Sequence, residues 1–139
     1  IAFKTQNKLY FLDRTGNIRI NPKTTSTFSN EAIYVYNDKF ITTSTEGNLI
    51  TIDTRGNSVS QNLNLSEQHH IDSSSKTLVT LSDNKLAIKG NSFELDFGSY
   101  TTPKLFYLQD KIYVAVTDLQ TQKVYMFDSN AQPIPNFPV

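Results

Sequence analysis

Residues 39–57 read KFITTSTEGNLITIDTRGN, and this stretch decides the fold class. Two short strand-like segments, residues 40–44 and 49–52, are rich in β-branched residues and are separated by a polar turn that contains Gly47. A second turn, with Gly56, follows Asp53, whose side chain is placed to bond backbone amides of that turn. The stretch therefore predicts antiparallel strands joined by tight turns.

The same pattern recurs along the chain. A strand of alternating apolar residues ends at Leu12, Ile52, Ile88 and Phe127, at spacings of 40, 36 and 39 residues. A spacing in this range is typical of β-propeller blades. We therefore predict an all-β protein, a β-propeller or partial propeller with about four blades of 36–40 residues. The four apolar residues are predicted to be equivalent and to pack between neighbouring sheets.

The turns after these strands support the repeat. Asp13 with Gly16, and Asp53 with Gly56, are predicted to be structural turn residues, as are Gly47 and Asp128. In the fourth repeat Ala131 replaces the Gly, which suggests either a different turn or Asn130 in the left-handed position. Two-residue polar turns predict hairpins at positions 37–38, 83–84 and 109–110.

No segment predicts a convincing helix. Residues 66–75 form the only polar stretch of sufficient length, and they lack an apolar stripe. We interpret them as a loop between the second and third repeats.

The chain is predicted to form a single repeat domain, residues 1–139, excised from a longer protein or left as a mature product, since the sequence begins without Met or a signal peptide. The first repeat lacks upstream strands, so the chain either is an arc of a larger ring or closes on itself. Closure predicts that residues 134–139 pair with residues 1–3. Because Pro133, Pro135 and Pro138 cannot donate to a ladder, this tail suits only an edge or closing strand.

The second repeat resembles a blade of the PQQ-like (quinoprotein-like) β-propeller family, with Gly47, Asp53 and Gly56 on the repeat pattern. The first and fourth repeats match it over residues 8–20 and 111–139, and the third is degenerate. The ending of the chain is similar to blade endings in large extracytoplasmic propeller proteins of bacteria. The resemblance implies a propeller fold and a periplasmic or cell-surface location.

Quinone chemistry is not implied by the resemblance, because the chain has no Trp to dock between blades and no Cys pair. We find no Asp, Glu and Asn set to assign to calcium and quinone. The turns of Asp13 and Asp53 each place an Arg among the would-be calcium ligands, so capping is the favoured interpretation. His69 and His70 are adjacent and would point to opposite faces of a strand, so they are interpreted as part of a polar surface loop. We therefore predict no catalytic residue, no metal and no cofactor.

Charge and hydropathy limit the partners. Thirteen basic residues balance thirteen acidic ones, which gives no general attraction to nucleic acid. No apolar run approaches the length of a transmembrane helix, so membrane insertion is not predicted.

Two tyrosines, Tyr34 and Tyr36, lie on one face of a predicted strand. They serve either blade-to-blade packing or a binding face, because Tyr buries a large area and keeps a polar tip. The leading prediction is a non-catalytic propeller module for protein recognition or scaffolding, with self-association through an exposed blade as one form of partnership. The alternative is an accessory propeller domain of a larger hydrolase, nuclease or quinoprotein whose active site lies elsewhere or is degenerate.

Overall fold

A computed structural model describes residues 1–5, 7–24 and 27–139, and for residues 20–24 it describes the backbone alone. Strands account for 53% of the protein, and the described residues contain no helix. They form four antiparallel sheets, so the predicted all-β class is confirmed. The chain divides into two compact units, Ile1–Glu67 and Gln68–Val139, each built from two sheets.

The first unit contains a three-stranded and a four-stranded meander, in the orders β1-β2-β3 and β4-β5-β6-β7. Its strands are β1 (Ala2–Lys4), β2 (Lys8–Leu12), β3 (Ile18–Thr24), β4 (Tyr34–Tyr36), β5 (Lys39–Thr43), β6 (Asn48–Ile52) and β7 (Ser58–Asn62). The two sheets pack through Leu9, Phe11, Phe28, Ile50 and Ile52, all buried. The ring centroids of Phe11 and Phe40 lie 5.1 Å apart across this core.

The second unit has the sheet orders β8-β9-β10-β11 and β12-β13-β14. Its strands are β8 (His69–Ser73), β9 (Leu78–Ser82), β10 (Lys85–Ile88), β11 (Asn91–Glu94), β12 (Lys104–Leu108), β13 (Lys111–Asp118) and β14 (Lys123–Asp128). The buried core between these sheets includes Val79, Leu86, Val114 and Phe127, and the rings of Phe93 and Phe127 are centred 5.1 Å apart. Each sheet therefore buries one apolar face against its neighbour within the unit.

The three predicted two-residue hairpins are confirmed. Asn37–Asp38, Asp83–Asn84 and Gln109–Asp110 connect paired strands, and both residues of each turn have positive φ. That geometry matches the right-handed twist of antiparallel strands, and Asn and Asp tolerate it better than most side chains.

The loop predicted over residues 66–75 is wrong, because β8 lies inside it. His69 and Ile71 are buried on one face of β8, while His70 and Asp72 lie on the other face, toward β12. An apolar stripe is missing from this strand because hydrogen-bonding side chains occupy one of its faces. The interpretation of His69 and His70 as surface-loop residues is corrected with it, since both lie in β8.

The predicted equivalence of Ile88 with Ile52 and Phe127 is also wrong. Ile52 faces the preceding sheet β1–β3, and Phe127 faces the preceding sheet β8–β11. Ile88 instead faces the following sheet β12–β14, on the same side as Phe93. Its strand ends in a two-residue turn, Lys89–Gly90, with both φ values positive, whereas Ile52 and Phe127 are each followed by a longer turn that begins at an Asp. The shorter turn shifts the alternation of side chains between the two sheet faces by one residue.

The C-terminal tail pairs with β14 of its own sheet. Val139 and Val124 exchange both backbone hydrogen bonds, at 2.8 and 3.0 Å, and the N–H of Ile134 donates to Met126. The tail continues the β12–β14 meander as its outer edge, and in the first unit the backbone of Ile1 bonds to Leu12. The prolines of the tail fit that edge position. The pairing of this tail with residues 1–3, which ring closure would require, stays a prediction.

Candidate functional site

Asp13, Asp53 and Asp128 each begin the same five-residue turn, in three different sheets. The Oδ1 atom of each accepts the backbone N–H groups two and four residues later, at 2.8–3.0 Å. Their own N–H groups bond to the carbonyl four residues on. The carboxylates are thereby committed to the backbone of the turn, which is a capping arrangement rather than a set of oxygens open to a ligand.

Hydrogen bonding also changes the acidity of these groups. The side chains of Thr15 and Asn57, followed by backbone donors, lower the pKa of Asp13 and Asp53, respectively. A carboxylate that accepts several hydrogen bonds is stabilised in its charged form.

The fourth residue of each Asp turn adopts positive φ. Gly16 and Gly56 occupy it in the first unit, and Ala131 occupies it at φ 59° in the second. The turn after β14 is thus the same turn, and Asn130 does not supply the left-handed residue. Ala131 is fully buried in the core of the second unit, so its methyl group packs where a Gly would leave a void.

Gly47 lies in a further turn of this kind that begins at Ser44, a residue the sequence pattern did not identify. Ser44 Oγ accepts the N–H of Asn48 at 3.2 Å, and the N–H of Gly47 donates to the Ser44 carbonyl. A Cβ at position 47 would lie 2.2 Å from the carbonyl oxygen of Leu65, so only Gly fits. The Gly47 carbonyl accepts the N–H groups of Leu63 and Leu65.

Asp118 is a second capping residue that the sequence analysis missed. It is 2% exposed and accepts the Thr121 hydroxyl at 2.6 Å and the N–H groups of Gln120 and Ser99. The Thr121 hydroxyl is the main reason that the pKa of Asp118 is lowered. Its position at a strand end, before a polar turn, is the signal that it shares with Asp13 and Asp53.

A polar seam joins β8 to β12 in the second unit. His70 Nδ1 lies 3.2 Å from the Thr102 hydroxyl, Asp72 Oδ2 accepts the Leu105 N–H at 2.7 Å, and the Tyr107 hydroxyl donates to Ser74 Oγ at 3.0 Å. These residues alternate along β8 and its end, so they share one face. The seam fixes the first strand of one sheet against the first strand of the next.

The two predicted interaction residues, Tyr34 and Tyr36, lie on the edge strand β4. They share a face, and both are half-buried, with Tyr34 opposite Ile41 and Tyr36 opposite Lys39. Val35, on the other face, is 53% exposed. The tyrosine face of β4 is therefore only partly accessible to a partner.

A more open surface lies in the second unit. We call it the turn cleft, and it has a volume of about 490 Å³. Its lining combines basic, acidic and apolar side chains: Lys89, Lys111, Asp110, Asp128, Ile112, Tyr113 and Ile134. The Tyr113 ring stacks with Phe106 at 5.9 Å, on the face of β12–β14 opposite the β8–β11 sheet. A partly exposed aromatic pair beside charges of both signs is suited to contact with a protein surface.

In the part of the chain that the structure describes, no three His, Asp or Glu side chains converge as metal ligands would. Over the same residues, no helix has the length and apolar character needed to cross a bilayer. No family model matches the chain, and a comparison with curated proteins found no match.

Proposed function

We propose that this chain is a non-catalytic β-propeller module of about four blades that recognises a protein partner. The Asp turn carries the fold part of the proposal. It recurs at Asp13, Asp53 and Asp128, in three of the four sheets, and the β8–β11 sheet has the two-residue Lys89–Gly90 turn instead. In each of the three sheets the turn leads to the outermost strand, which after β14 is the C-terminal tail, as expected for repeated blades.

Burial on both faces of a sheet also supports blades. Leu49 and Ile50 are neighbours on β6, so they point to opposite faces, and both are buried. A blade inside a propeller is covered on both faces by its neighbours, whereas a sheet in a simple two-layer sandwich has one solvated face.

The turn cleft and the Phe106–Tyr113 pair carry the recognition part. Aromatic side chains that remain partly exposed lose little conformational freedom on binding and contribute much of the energy of protein interfaces. Lys111 and Asp110 at the rim would orient the partner, since charges at a rim give specificity more than affinity.

Photocrosslinking tests this site. A photoreactive phenylalanine analogue at position 113 is expected to crosslink one defined protein in an extract of the source cells. The same analogue at Phe97, which is 88% exposed in the same unit, is the matched control. Lys111→Glu should reduce the crosslinked yield at position 113. Equal products from both positions, or a yield indifferent to Lys111→Glu, would contradict the proposal.

The identity of the crosslinked protein separates the two functional hypotheses. A separate polypeptide supports a recognition module. Another segment of the same polypeptide would support the accessory-domain alternative instead.

A further inference from the structure

The outer strand β7 differs from the other sheet edges of this protein. It ends the order β4-β5-β6-β7, and all five of its residues, Ser-Val-Ser-Gln-Asn, are exposed. Val59, at its second position, is 67% exposed. None of the five is charged, and none is proline.

Nearly all of the remaining edge strands contain a charged residue or a proline. The β3 sequence contains Arg19, Pro22 and Lys23, and the tail beside β14 contains three prolines. The edge strands β1, β8, β11 and β12 contain Lys4, Asp72, Glu94 and Lys104, respectively. The edge strand β4 is uncharged but has only three residues. Proteins use charge, proline and shortness to keep sheet edges from pairing, and β7 has none of these devices.

The direction of the β7 backbone groups follows from the bonds at its two ends. At one end the N–H of Asp53 bonds to Asn57, and at the other the N–H of Leu63 bonds to Gly47. Antiparallel pairs alternate between hydrogen-bonded and non-hydrogen-bonded positions. With the register Ile50↔Ser60, this alternation directs the N–H and C=O groups of Ser58, Ser60 and Asn62 away from β6, toward the open edge.

We propose that β7 is a self-association edge, at which two copies of the chain pair antiparallel and join two four-stranded sheets into one. About the two-fold axis, Ser60 lies opposite the second copy's Ser60, and Ser58 lies opposite the second copy's Asn62. In a two-fold contact each residue faces the same residue of the second copy or the residue at the symmetry-related position. An edge that carries one sign of charge therefore repels the same edge of the second copy. The uncharged β7 edge has no such repulsion, which is why a second copy fits here and not at β3.

The test measures the mass of the full chain by sedimentation velocity up to millimolar concentration. The wild-type protein is expected to form a dimer. Ser60→Lys and Ser60→Glu should each remain monomeric, because each puts like charges opposite each other. An equimolar mixture of the two variants should recover a dimer, because Lys then faces Glu. Ser60→Thr is the matched control, and it should dimerise like the wild type.

Backbone variants check the same edge by a different property. Ser60→Pro removes an outward N–H, so it should abolish the dimer while leaving the circular dichroism spectrum unchanged. In the wild-type dimer, the amide protons of Ser58, Ser60 and Asn62 should exchange at least about tenfold more slowly than in dilute monomer. A wild-type chain that stays monomeric at millimolar concentration overturns the proposal. A dimer unaffected by both charged variants overturns it as well.

Discussion

The Asp72 carboxylate accepts a hydrogen bond from the backbone N–H of Leu105 at 2.7 Å, and this bond ties the first strand of one sheet to the first strand of the next. Its other oxygen accepts the N–H of Ser73 at 2.9 Å. One side chain thus satisfies two backbone donors at the junction of two sheets.

Removing the Asp72 carboxylate should destabilise the second unit. Asp72→Ala leaves the Leu105 N–H without its acceptor, so we expect a loss of about 2 kcal/mol in the free energy of unfolding. Asp72→Asn keeps an acceptor oxygen and should cost about half as much. Urea denaturation measures both, with Asp96→Ala, at an exposed carboxylate of the same unit, as the control. Equal stabilities for Asp72→Ala and the control would contradict the role of this bond.

Two glycines with the same backbone conformation should respond differently to alanine. Gly16 and Gly47 have φ of 86° and 83°, but space around Gly16 is open, whereas a Cβ at Gly47 meets Leu65 at 2.2 Å. Gly16→Ala should cost about 1 kcal/mol for the left-handed φ alone. Gly47→Ala should cost about 3 kcal/mol or more, because the Leu65 backbone must move. Thermal and urea denaturation compare the two, and similar losses would show that the close approach is wrong.

Two buried threonines should give changes of opposite sign when the hydroxyl is removed. Thr42 and Thr77 are each 1% exposed. The Thr42 hydroxyl donates to the Ala32 carbonyl at 3.2 Å, while the Thr77 hydroxyl has no hydrogen-bond partner among the described residues. Thr77→Val should stabilise the protein by about 1 kcal/mol, and Thr42→Val should destabilise it by a similar amount. Destabilisation by Thr77→Val would reveal a partner for that hydroxyl.

Stability should fall in acid because three carboxylates have lowered pKa values in the folded protein: Asp13, Asp53 and Asp118. In the folded protein each of these carboxyl groups holds its proton less tightly than in the unfolded chain, where its pKa is near 3.8. Their stabilisation is complete well above pH 3.8 and is lost as the pH falls through the lower folded pKa values.

Urea midpoints measured across this acid range check the sign. The triple variant Asp13→Asn, Asp53→Asn, Asp118→Asn should show a flatter decline than the wild type, and Asp96→Asn should not. A triple variant with the wild-type slope would contradict the assignment.

The sequence predicted the turns better than it predicted which face of a sheet each side chain occupies. Asn-Asp, Asp-Asn and Gln-Asp pairs identified hairpins because these side chains tolerate positive φ, and Gly and Asp identified the longer turns. The strand β8 was missed because His70, Asp72 and Ser74 bond across to β12, which removes the apolar alternation that marks a strand. The turn after β14 was not recognised from the sequence because Ala131 occupies the position that Gly holds elsewhere. Burial of its methyl group in the core offsets the energetic cost of its left-handed φ.

The candidate surfaces were predicted less completely. Tyr34 and Tyr36 do share a face, but their half-burial depends on packing that one strand cannot reveal. The turn cleft brings Lys89 beside Tyr113 and Ile134, from three separate hairpins or turns, and no local pattern places those together.

The propeller arrangement is the central claim, and a crystal structure of residues 1–139 tests it most directly. The measured quantity is the rotation that superposes each sheet on the next, calculated for the successive sheets from β1–β3 to β12–β14. We expect the three rotations to be equal within a few degrees and to share one axis, as for blades of a ring. Unequal rotations, or a translation along the axis from sheet to sheet, would contradict the propeller.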